Sequence, residues 1–232
     1  MQDQNDDFVG RRSLMAGLGI AAAAGLVATA ATAQAQQGSR RTAFQPARHD
    51  IDAWFDQIPG THRIFIDSAS ANGGAEAVGY AGNLFLATSS AYAGQNADPA
   101  IVVCFRHFST PFGYNDAMWA KYGEIFNMLM TYPDPATGAA PKINLLNSSA
   151  HKTLGNRGVL IDDMAAKGVQ FAICNMATQF ISDFIAQQTG GKADEIHAEL
   201  MKNNIKSSRF VSAGVVALTR SQEYGYSVLI SG

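Results

Sequence analysis

The thiol best placed for chemistry is Cys174. It ends the apolar run GVQFAIC (168–174), and Asn175 and Thr178 follow as the pattern turns helical. A thiolate at a strand-to-helix handover is stabilised by the free N–H groups of the first helical turn, and a thiolate is the nucleophilic form of cysteine. The competing reading is a small apolar side chain packed in a core. A second chemical cluster, Arg106, His107, Ser109 and Thr110, follows the run IVVCF (101–105). His107 is a candidate base or anion-steering group, or a histidine satisfied by loop backbone. Arg106 can bind an anionic substrate or pair with a carboxylate. Asp67, Ser68 and Ala69 end an earlier run, RIFIDSA (63–69), and Ser212 and Gly214 follow a later one. Cys104 lies inside IVVCF and reads as a packed core thiol.

Other chemistries find no foothold. The histidines at 49, 62, 107, 151 and 197 show no close metal-ligand spacing. No phosphate-binding G-x-x-x-x-G-K-[ST], no G-x-S-x-G elbow and no G-x-G-x-x-G after the first strand occurs. No cofactor or metal is expected.

The elements that must position these residues alternate. Strands are predicted at 63–69, 101–105 and 168–174, with two more in the C-terminal stretch RFVSAGVVALTRSQEYGYSVLIS, either side of a helix and a turn at Gly225. Between them, Ser70 to Gly74 reads as a loop. A helix with Val78, Ala81, Phe85 and Tyr92 on one face comes next. The 115–130 stretch is predicted helical, capped by Asn115 or Asp116, with the stripe Met118, Trp119, Tyr122, Ile125, Phe126 and Leu129. A helix is expected over about 156–166, another with Phe180, Ile181, Phe184 and Ile185 facing inward, and a short one in ADEIHAELMKNN. Alternation of helices with strands too apolar to be one-faced predicts an α/β domain, a mostly parallel sheet with helices on both faces. Such sheets bind ligands at the carboxyl ends of their strands, where all four clusters fall. With the first strand placed between those carrying the cysteines, the two thiols lie too far apart for a disulfide.

The N-terminus reads differently. Arg11 and Arg12 precede an uncharged run from Leu14 to Ala33, rich in Ala and Gly, with small-residue sites ending at Ala33 and Ala35. This is an export signal of twin-arginine type, predicted to be cleaved, over residues 1–35. A run so poor in Leu, Ile and Phe is not expected to stay as a membrane anchor. The protein is therefore expected to meet the twin-arginine export machinery and to be periplasmic or otherwise exported. Residues 36–60 read as linker and N-terminal extension, and 61–232 as one domain with an enlarged middle at about 109–155. The net charge of −2, without a Lys/Arg cluster, argues against nucleic-acid binding.

The segment GVQFAICNMAT, followed by helices and then RFVSAGVVALTRSQEYGYSVLI, resembles the DsrE/DsrF/TusD superfamily of sulfur-relay proteins. The matching positions include Cys174, Gly214, Val215, Gln222, Gly225 and Tyr226. The resemblance spans about 62–232 and is strongest over the last 65 or so residues. It implies a flavodoxin-like domain assembled as a homo-oligomer, a dimer or trimer, with Cys174 accepting sulfane sulfur from a donor and passing it to an acceptor protein. His107 would then orient or deprotonate, with Arg106, Asn175, Thr178 and Ser68 as substrate-binding groups. The alternative on the same fold is a non-catalytic module that binds a small molecule or a partner.

Overall fold

The computed structural model describes residues 44–150 and 152–232. The expected export signal, with Arg11 and Arg12, lies outside the described residues. Pro46–Gly232 forms one compact unit. Five strands, β1 (His62–Ser68), β2 (Pro99–Phe105), β3 (Gln170–Cys174), β4 (Ser208–Val211) and β5 (Ser227–Ser231), form an all-parallel sheet in the order β4-β3-β2-β1-β5. The helices are α1 (Trp54–Gln57), α2 (Ala71–Ala91), α3 (Asp116–Met130), α4 (Ile161–Ala166), α5 (Asn175–Thr189), α6 (Ala193–Lys202) and α7 (Gly214–Glu223). Among the described residues no helix is long and apolar enough to cross a membrane.

The topology follows from handedness. The chain steps from β1 to β2, β3 and β4 in one direction, so right-handed crossovers place α2 to α6 on one face. The step from β4 back across the sheet to β5 runs the other way and puts α7 on the opposite face, where it touches all five strands. Strand alternation sorts the core accordingly. Ile66, Val103, Phe105, Phe171 and Ile173 face α2–α6, and Phe65, Val102, Cys104 and Ala172 face α1 and α7.

Several expectations are corrected by packing. Within the span read as linker and N-terminal extension, Trp54 and Phe55 join the core, buried beside Tyr224 and Tyr226. Ser70–Gly74 is not a loop. Ser70 caps α2 by accepting the Gly73 N–H at 2.9 Å, and Gly73 and Gly74 lie in its first turn. Gly73 is small there because a Cβ would collide with the backbone of Ser231 in β5. The helix expected over 156–166 is confined to α4. In α5, Ile181 and Ile185 face inward, whereas Phe180 is 55% exposed. The enlarged middle is core as much as cover: Phe112, Tyr114, Trp119 and Phe126 are fully buried in it.

The strand order also revises the cysteine argument. β2 and β3 are adjacent, so β1 does not separate the thiols. Cys104 pairs with Ala172, which leaves Cys174 on the same face as Cys104, one strand across and two residues along. That diagonal is roughly 8 Å between Cα atoms from strand spacing and rise, beyond the disulfide limit of about 7 Å. Both thiols are free.

Burial of tyrosines gives the fold an alkaline limit. Tyr226 donates to Phe55 O at 2.7 Å, and burial pushes its phenol up to about 12 against the pull of Arg63. Burial likewise holds Tyr132 up at about 12. An unfolded tyrosine ionises near 10. The stabilisation is therefore complete below pH ~10 and is lost as pH rises from there toward 12, because the unfolded chain releases its protons first. Urea-unfolding midpoints should fall between pH 9.5 and about 11.5, and Tyr226→Phe should flatten that fall relative to wild type.

Candidate functional site

Cys174 is the last residue of β3 and the N-cap of α5. Its Sγ accepts the Ala177 N–H at 3.4 Å, so the sulfur occupies the place where a capping oxygen would stand. Its carbonyl accepts from Thr178 Oγ1 at 2.9 Å, and Tyr114 OH donates to that same Oγ1 at 2.9 Å. Thr178 and Tyr114 are fully buried. This chain of hydroxyls holds the cysteine backbone from behind, so Thr178 positions the thiol and does not reach the site opening.

The segment after β2 supplies the opposite wall. Arg106 lies on the same face as Cys104 and Asp67, which pair in register across β1 and β2. Its Nε and Nη2 grip Asp67, with Nε–Oδ1 at 2.8 Å and Nη2–Oδ2 at 2.7 Å. The Asp67 side chain is only 1% exposed, and this pairing raises the Arg106 guanidinium above its ordinary range. The carboxylate alternative considered for Arg106 is thus present, and its partner is Asp67. Nη1 makes no hydrogen bond among the described residues. Gly214 lets α7 start close by, since a Cβ there would come 2.6 Å from Arg106 Cβ. His107 follows with φ of +54°, a left-handed backbone that non-glycine residues seldom adopt. Its ring lies 4.0 Å from that of Phe108.

These walls enclose a cavity of about 360 Å³ at the carboxyl ends of the strands. Arg106, His107 and Cys174 all line it. So do Met176, Ala177, Phe180 and Ile181 from α5, Ala213, Gly214 and Val215 at the start of α7, and Phe108, Pro111 and Leu129. Two helix N-termini, from opposite faces of the sheet, converge on it. Its polar groups are few against a mostly hydrocarbon lining, and Met176, Phe180 and Val215 are more than half exposed at its rim.

Of the residues expected at a site, the fold therefore gathers Cys174, Arg106 and His107 around one cavity. Asn175 is next to it but turned aside: its Oδ1 accepts from His197 Nε2 at 2.8 Å, tying α5 to α6. Ser68 is buried and pins the strand ends, donating to Cys104 O at 2.7 Å. Neither Ser68 nor Thr178 lines the cavity, so both act as scaffold. Cys104 is fully buried, and desolvation pushes its thiol well above the ordinary range, with Asp67 adding to the shift. It is inert beside Cys174. The apolar lining was missed from sequence; Met176 and Phe180, large apolar residues just inside a helix start, were its visible signal.

Comparison of the chain with protein-family models, with curated proteins and with solved structures finds no match.

Proposed function

We propose that this protein is an exported carrier of sulfane sulfur that holds it as a persulfide on Cys174. The observation that carries this reading is the position of the Cys174 sulfur, capping α5 at the wall of the strand-end cavity while the other thiol is sealed in the core. The likeness of GVQFAICNMAT and the C-terminal stretch to the sulfur-relay superfamily supports it.

The step is a transfer without net oxidation. The Cys174 thiolate attacks the outer sulfur of a donor R–S–SH. A new S–S bond forms to Cys174, the donor S–S bond breaks, and R–S⁻ leaves with the electron pair while the proton stays on the terminal sulfur. An acceptor thiolate reverses the step and frees Cys174. Ala177 N–H stabilises the sulfur anion before attack and after release, and His107 is placed to orient the donor or exchange its proton. We read the carrier as a homo-oligomer that leaves the cytoplasm by the twin-arginine route.

The apolar lining and the 6% exposure of Cys174 favour a second reading, a binding module without transfer chemistry. Intact-protein mass spectrometry of the full chain after incubation with polysulfide separates the two. A gain of about 32 Da per sulfur is expected, kept in Cys104→Ser and lost in Cys174→Ser. Wild-type protein that gains no mass, and whose Cys174 also resists iodoacetamide, would leave the binding module standing.

A further inference from the structure

The cavity walls bear on what kind of molecule can reach Cys174. Its volume, about 360 Å³, lies at the lower end of the roughly 300–1,000 Å³ range that small-molecule sites span. A strongly hydrated ion would lose its water against Phe108, Phe180, Ile181 and Leu129 and find little to replace it. The fixed cation at the cavity is also largely spent. Arg106 is gripped by buried Asp67 on its Nε/Nη2 edge, so the pair is close to neutral and only the Nη1 side is left to a ligand. With one edge of the guanidinium taken by Asp67, Arg106 has donors left for a single negative charge. The rest of the space, out to the exposed Phe180 and Val215, suits hydrocarbon.

We propose that the cavity takes an apolar-bodied small molecule with a single anionic head, the head at Arg106 Nη1 and the body along α5 and the start of α7. Resting on the persulfide reading above, this makes the sulfur donor an organic persulfide with an apolar R group, and not a small inorganic dianion such as thiosulfate. The transfer step is the one already written, with R–S⁻ as the leaving group and Cys174–S–SH as product.

Binding is tested apart from reaction by calorimetric titration of the full chain carrying Cys174→Ser. The probes are decanoate, decyltrimethylammonium and thiosulfate. Decanoate should bind about tenfold or more tighter than the cation of equal tail length, the order of effect of one charge-assisted hydrogen bond, and thiosulfate should give no heat at the same concentration. Ala177→Phe, which fills the cavity, should abolish decanoate binding. Val215→Glu, at an exposed rim position that leaves the core untouched, should weaken decanoate and spare decyltrimethylammonium. Thiosulfate binding as tightly as decanoate, equal binding of the two decyl probes, or decanoate binding unaffected by either variant would overturn the proposal.

The donor is tested by mass spectrometry of the wild-type full chain with octyl persulfide and with thiosulfate. Faster sulfur loading from octyl persulfide is expected, and faster loading from thiosulfate overturns the donor assignment. Decanoate binding with no sulfur loaded from either donor would remove the carrier reading and leave the cavity assignment in place.

Discussion

Arg106→Ala is expected to destabilise the folded chain by about 3–5 kcal/mol, the range for removing one member of a buried ion pair. The loss comes mainly from what is left behind. Asp67 sits on β1 with its side chain 1% exposed, and both its oxygens accept from Arg106. Without the guanidinium the carboxylate keeps its desolvation cost and loses its donors. The double replacement Asp67→Asn with Arg106→Gln should recover much of that stability, because two neutral amides can satisfy each other without a buried charge. Urea-unfolding curves of the three proteins at pH 7 give the comparison. A single variant as stable as wild type would mean that water reaches Asp67 freely. If the double variant were no better than the single one, packing of the Arg106 stem against Gly214 would be the dominant contribution.

Gly123→Ala should cost about 3 kcal/mol, the upper end of overpacking, although alanine is intrinsically the better helix former by about 1 kcal/mol. Gly123 faces the returning loop from the middle of α3, and a Cβ there would overlap the carbonyl oxygen of Pro141. That oxygen belongs to backbone, fixed by Pro141 itself and by Asn144, whose side chain donates to Phe112 O at 2.8 Å and Tyr114 O at 3.1 Å. The loop cannot yield without loosening the segment after β2, which lines the cavity through His107, Phe108 and Pro111. Gly82→Ala is the internal comparison. The atoms nearest its new methyl all belong to the Val159 side chain, Cγ2 at 2.8 Å and Cγ1 at 3.0 Å. Val159 is half-buried and can shift as a side chain where the Pro141 backbone cannot, so Gly82→Ala should cost clearly less than Gly123→Ala. Thermal unfolding followed by circular dichroism distinguishes the two, and equal losses would contradict the backbone argument.

The three-layer architecture was legible because its strands carry their burial in their composition. IVVCF and GVQFAIC are apolar on both faces, and only a sheet covered on both sides asks for that. The stripe on α3 was legible for the same reason. Ser70–Gly74 was not, since Gly73 and Gly74 look like turn residues until β5 is seen to press its backbone against α2. In α5, Phe180 and Phe184 alternate with Ile181 and Ile185 around more than one side of the helix. Nothing local says which pair meets the sheet. Strand order escapes sequence because crossovers of this length can reach any neighbour, and with it went the true spacing of the two thiols. That Cys174, Arg106 and His107 would share one cavity was legible because strand ends are where such sheets bind. Ser68 and Thr178 satisfied the same positional rule, but their hydroxyls turn inward to carbonyls. Polar residue type cannot separate a ligand contact from a peg.

The place of the last strand governs how the molecule is made. β5 lies beside β1, and the Ser231 hydroxyl donates to the Asp67 carbonyl across 164 residues of chain. Contacts this distant in sequence carry a large loop-closure cost and slow folding. On the ribosome, β1 to β4 can emerge and pair in order, but β1 keeps an unpaired edge until β5 has been added. A nascent chain therefore displays a raw strand edge, open to pairing with other chains, while every element between β1 and β5 is made. The sheet is complete only once α7 has laid β5 into place.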